Sequence, residues 1–132
     1  MNKQRHLELA AHFEQSVVEL EKNGKFPAWC VVGLFYTALH YVDAFLDKNV
    51  GKHPACHFNK DNQDESRYHL LNSLITPADK KAFDQYETLG RYSRDARYDA
   101  LYWQLQRKPE NYTYIKSLFL SIEKYFKPKV IL

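Results

Sequence analysis

Apolar residues recur along this chain at steps of three and four, and no stretch keeps the strict alternation of a half-buried strand. In the first segment Leu7, Ala10, Phe13, Val17 and Leu20 fall on one helical face, and Asn23-Gly24 follows as a stop. Pro27 stands where a first-turn proline belongs, and Trp29, Val32, Phe35, Leu39, Val42 and Leu46 carry a second helix. That helix is apolar round most of its circumference, so the middle of a bundle is its expected place. Its polar stripe is Tyr36, His40, Asp43 and Asp47.

A long polar connection is expected from about 48 to 65, and a short helix after it from about Glu65 to Leu74. Thr76-Pro77-Ala78-Asp79 has the grammar of a helix start: a capping hydroxyl, a first-turn proline and an acid near the positive end of the helix dipole. The helix it opens has a seam of Ala82, Tyr86, Leu89, Ser93, Ala96 and Ala100, whose small later members allow a close neighbour. Arg107-Lys108-Pro109 breaks the chain again. Ile115, Leu118, Phe119, Ile122 and Tyr125 or Phe126 then mark a last helix, with Pro128 as its expected stop. The pattern predicts an all-α protein, an up-and-down antiparallel bundle of four long helices plus one short helix.

Composition narrows the class. The 132 residues are 45% hydrophobic and 27% charged, which suits a single domain over 1–132. Four Gly and five Pro exclude a collagen-like or disordered chain. The net charge of +3 is too small for a general nucleic-acid packager. Ten Tyr, eight Phe and two Trp are the unusual feature. Cys30 and Cys56 form no metal or disulfide framework, so a cytoplasmic protein with a buried Cys30 thiol is expected. The apolar run Trp29 to Leu46 contains His40 and Asp43 and reads as a core helix rather than a membrane span.

Three constellations bear chemistry. Arg91, Arg94 and Arg97 stand three apart on the third long helix, flanked by Tyr92 and Tyr98, a seat for phosphates with bases stacked on the rings. The competing reading is a solvated charge ladder, since Arg91 and Asp95 are i,i+4 partners. The polar loop gathers His53, Cys56, His57 and Lys60, which suits acid–base work better than zinc, because Pro54 interrupts the spacing and a second ligand pair is missing; a structural role, with the histidines and Phe58 pinning the loop onto the bundle, is the equal alternative. The stripe Tyr36, His40, Asp43, Asp47 offers a base with an orienting acid, or a satisfied polar cluster inside the bundle. No metal or cofactor is expected.

Phe35-Tyr36-Thr37-Ala38-Leu39-His40-Tyr41-Val42-Asp43-Ala44-Phe45-Leu46, then Gly51-x-His53-Pro54-x-x-His57-x-x-Lys60, then Tyr86-x-x-Leu89-x-x-x-Ser93-Arg94-x-Ala96-Arg97-Tyr98, resembles a branch of the HEPN (higher eukaryotes and prokaryotes nucleotide-binding) superfamily over about residues 5 to 126. The resemblance implies a helical bundle that often dimerises. Many members are metal-independent RNases in which an Arg holds the scissile phosphate and a His some four to six residues later moves protons. Others lack that pair and bind nucleotides, RNA or a protein.

This chain departs from the RNase pattern. Its last histidine is His69, so none of Arg91, Arg94 and Arg97 has a histidine downstream; Arg94 meets Asp99 at the corresponding spacing and Arg97 meets Tyr102. An acid with an arginine close by is a poor proton donor at neutral pH, and an ordinary tyrosine a weak one. The resemblance therefore implies a non-catalytic, homodimeric module with no catalytic residues, binding a nucleotide, RNA or an antitoxin-like partner through Arg91, Arg94, Arg97, Tyr98, His53, His57 and Lys60. A metal-independent RNase with His53 or His57 in a rearranged site is the alternative. A bundle that only docks other proteins is the third.

Overall fold

The computed structural model describes residues 2–24, 26–50, 77–98 and 109–131. These form four helices: α1 Lys3–Asn23, α2 Pro27–Val50, α3 Pro77–Tyr98 and α4 Pro109–Ile131. Among the described residues there is no strand. The short helix expected at about Glu65 to Leu74 lies outside them.

The helix boundaries follow from local chemistry. Asn2 caps α1 by accepting a hydrogen bond from the Arg5 amide at 2.9 Å. Gly24 closes it at φ +71°, the left-handed conformation that glycine takes without a Cβ clash, and its N–H reaches the Leu20 carbonyl. Pro27, Pro77 and Pro109 each stand first in α2, α3 and α4, where the missing N–H costs nothing.

Two boundaries differ from the sequence expectation. α2 runs on to Val50, taking in Lys48 and Asn49, which were expected in the polar connection. Asn49 Nδ2 donates to the Phe45 carbonyl at 2.8 Å, and Lys48 suits the negative end of the helix dipole. α4 likewise does not stop at Pro128 but continues to Ile131. Val130 is fully buried and Lys48 Nζ donates to the Lys129 carbonyl at 2.6 Å, which holds the last turn despite the hydrogen bond the proline removes.

α2 is the hub, packing against α1, α3 and α4, while α3 also packs on α4. Its Val31, Leu34, Ala38, Val42 and Leu46 are at most 1% exposed, and the core they enter takes Ala10 and Val17 from α1, Phe83, Leu89 and Ala96 from α3, and Ile115, Ile122 and Phe126 from α4. Buried Thr37 satisfies its hydroxyl on the Gly33 carbonyl at 2.9 Å. Trp29, expected in the core seam, is 47% exposed, because the buried residues beside it are Ala28 and Cys30. α2 is long and apolar enough to cross a membrane, with a mean hydropathy of 1.4, yet 67% of that window is buried inside the protein.

Partner pairs along the helices set their relation. Cys30 lies by Tyr112, Phe45 stacks edge-on to Phe126, and Lys48 bonds to Lys129, so residue numbers rise together along α2 and α4. Glu21 of α1 meets Lys116 at 2.7 Å and the Tyr112 hydroxyl at 2.8 Å, whereas Glu14, about two turns earlier, meets Glu123. Phe35 of α2 stacks on Tyr86 of α3, and Tyr92 of α3 meets Tyr114 of α4.

Candidate functional site

The seam of α3 decides where its arginines go. Ser93 and Ala96 turn into the core at 1% and 0% exposure, so Arg91, Arg94 and Arg97 are left facing solvent. Tyr98 is 78% exposed, and the Arg97 guanidinium carbon lies 4.9 Å from the centre of its ring, within cation–π range. Glu87, one turn before Arg91, has its carboxyl pushed up by burial, against the lowering pull of Arg91 and Arg94.

Arg97 also turns back onto the bundle. One of its terminal nitrogens donates to the Tyr36 hydroxyl at 2.8 Å, across 61 residues of sequence. Tyr36 opens the polar stripe of α2, so the arginine strip and the stripe are physically joined, a link the sequence pattern did not reveal.

The stripe leads inward from Tyr36. Phe13 of α1 stacks on Tyr36 with centroids 5.6 Å apart and on His40 with planes only 7° apart, covering both rings from one side. His40 then meets His6 of α1, Nδ1 to Nδ1, at 3.1 Å. Only one ring of such a pair can carry a proton on the facing nitrogen, so one imidazole donates there and the other accepts. Asp43, one turn along from His40, is 3% exposed and completes a cluster whose ligand atoms all lie within 4.8 Å of one another. Asp47 ends the stripe by accepting the Lys3 backbone N–H at 2.7 Å.

Of the residues picked out from sequence, Arg91, Arg94, Arg97 and Tyr98 lie together on the outer face of α3, and Tyr36, His40, Asp43 and Asp47 line one side of α2 against α1. His53, His57 and Lys60 lie outside the described residues. His6 was missed. It stands at positions 6, 10, 13 and 17 with Ala10, Phe13 and Val17, and this register puts it on the buried face of α1. Phe13, on the apolar face of α1, is only half-buried and stacks on Tyr36 and His40.

A second set of titratable groups lies between α1, α2 and α4. Burial, then a hydrogen bond with Glu14 and its charge, push the Glu123 carboxyl up to about 7, while Lys127 and Lys116 pull the other way. Burial raises Tyr41 beside them. At the other end, Cys30 is a free thiol at 3% exposure, raised by burial and bonded to Tyr112. A thiol raised in this way is a poor nucleophile, which makes that corner structural.

The arrangement can do two things chemically. Three exposed guanidiniums with an open phenol ring can hold phosphate and a stacked base. Two imidazoles and a carboxylate, largely withdrawn from water, can hold a proton or a metal ion. No protein-family model, no curated protein and no solved structure matches this chain.

Proposed function

We propose that this chain is a non-catalytic, HEPN-like module, built as an up-and-down bundle, that binds single-stranded RNA or a nucleotide on the outer face of α3. The observation that carries the reading is the exposure of Arg91, Arg94 and Arg97 side by side, next to a Tyr98 ring 78% open to solvent. Phosphates would sit on the guanidiniums and a base on the ring. Arg97 is already held at one end by Tyr36, which lowers the ordering cost of binding. The rise of residue numbers together along α2 and α4 supports the up-and-down arrangement. A homodimer belongs to the proposal, and Phe26 and Trp29, at 42% and 47% exposure, give it an aromatic surface to use. The free Cys30 thiol accords with a cytoplasmic setting.

The test is binding of labelled single-stranded RNA in EDTA, followed by anisotropy and by gel for cleavage. Expected is a salt-sensitive complex and intact RNA, with Arg94→Ala plus Arg97→Ala removing binding and leaving helicity unchanged, since both residues are exposed. Binding unaltered in the double variant rejects the site. Cleavage lost in His57→Ala would install the RNase alternative, and neither binding nor cleavage would favour a bundle that only docks proteins.

A further inference from the structure

We infer that His6, His40 and Asp43 form a binding site for a divalent transition-metal ion of the zinc type, placed between α1 and α2. The site is independent of the RNA reading. Its donors come from two helices, His6 and His40 standing 34 residues apart in sequence, so the fold and not local spacing assembles them. The donor set is two imidazole nitrogens and one carboxylate oxygen, a combination that suits zinc, cobalt and ferrous iron and leaves coordination positions for water.

The spacing of the donor atoms is that of ligands on one ion. Two nitrogens each about 2.0–2.1 Å from one zinc ion, at the roughly tetrahedral angle of 100–110°, stand about 3.1–3.4 Å apart. The two Nδ1 atoms are 3.1 Å apart, at the lower end of that range and at hydrogen-bond distance of each other while the proton is between them. The ligand atoms of all three residues already lie within 4.8 Å of one another, and the carboxylate has two oxygens and two torsions to close the rest.

The surroundings fit as well. His6 and Asp43 are 5% and 3% exposed, while His40 is half-buried and marks the way in. Phe13 lies nearly parallel to His40 and fixes its ring plane, and a ligand ring held by its neighbours is a recurring property of metal sites. Asp43 brings a negative charge that would offset part of the ion's. On binding, the proton between the two rings must leave its Nδ1, for Nε2 of the same ring or for solvent, so that both Nδ1 lone pairs can take the ion. Acid, which protonates the rings, must therefore expel it.

The experiment titrates EDTA-stripped and dialysed full-length chain with Co²⁺, read by its visible absorption bands, and with Zn²⁺ in competition. Expected is one equivalent bound, with bands of a low-coordinate N/O site that fade as pH falls through the histidine range. His40→Gln and Asp43→Asn should each weaken binding about 100-fold or more. Asp43→Asn nearly keeps shape and hydrogen-bonding capacity, so it reports the ligand even where His40→Gln disturbs folding; far-ultraviolet dichroism checks both. A wild-type chain that takes up no Co²⁺, or binding undiminished in Asp43→Asn and His40→Gln because other groups hold the ion, overturns the proposal.

Discussion

Arg97 of α3 and Tyr36 of α2 are joined by a 2.8 Å hydrogen bond, and this single contact ties an exposed cationic face to the polar stripe inside the bundle. The hydroxyl accepts from the guanidinium, so it orients Arg97 without neutralising it. Tyr36 is in turn held from behind by the Phe13 ring.

Tyr36→Phe separates the two contributions. The ring stack on Phe13 survives, and the loss of one exposed hydrogen bond should change stability by less than about 1 kcal/mol. RNA affinity should fall about 3–10-fold because Arg97 must then be ordered on binding. The dependence on salt should stay as it is, since the number of charges is unchanged. Anisotropy titrations at three salt concentrations measure both quantities, and an unaltered affinity would show that Tyr36 does not position Arg97.

Glu123 gives the stability of the bundle a pH dependence of unusual sign. Its carboxyl stands at about 7 in the folded protein against an ordinary value of 4.5, so the folded state keeps the proton longer. The stabilisation this brings is fully present below the unfolded value and is lost as pH rises through about 7. Glu123→Gln should remove that slope and be the more stable protein at pH 8, by on the order of 1 kcal/mol once solvent screening of a half-buried group is allowed for. Urea midpoints from about pH 5 to 8 decide it. Parallel curves for the two proteins would exclude Glu123 as the source.

Gly33 of α2 lies close against α1. A Cβ there would lie 2.5 Å from Val17 Cγ2, on a short branched side chain that is 2% exposed and has little room to turn. Gly33→Ala gains about 0.5–1 kcal/mol of helix propensity but should lose about 1–3 kcal/mol to overpacking, for a net destabilisation. Val17→Ala in the same chain should recover most of that loss, a coupling above about 1 kcal/mol that thermal melts of the four proteins can resolve. Strict additivity would place the two helices farther apart.

Much of the fold was legible because helix punctuation is local chemistry. Three prolines at first positions and one left-handed glycine fix four boundaries, and the spacing of Ala82, Tyr86, Leu89 and Ser93 settles which side of α3 is buried. The departures arose where tertiary contacts outweigh local rules. Pro128 is overruled by burial of Val130 and by Lys48, which comes from 81 residues away in sequence. Trp29 is large and apolar, but the helix turns its small neighbours inward. The exposure of the arginine strip followed from the same seam. The pairing of His40 with His6 did not, since a histidine in a charged leading segment looks like surface until α1 is laid against α2. Register on one helix says which face a residue occupies, not what the opposite helix brings to it.

The backbone contact between Lys3 and Asp47 has a consequence for motion. Helix ends usually fray, and their amide protons exchange with solvent in the least protected class. Here the Lys3 amide is held by a carboxylate of α2 at 2.7 Å, the Arg5 amide by the Asn2 side chain and the His6 amide by the Asn2 carbonyl. The first turn of α1 is thereby spliced to the last turns of α2, and its opening must wait for that far end to let go. In deuterium oxide these three amides should behave as an interior segment, exchanging together and slowly, and whatever loosens the C-terminal turns of α2 will set the first turn of α1 free in the same step.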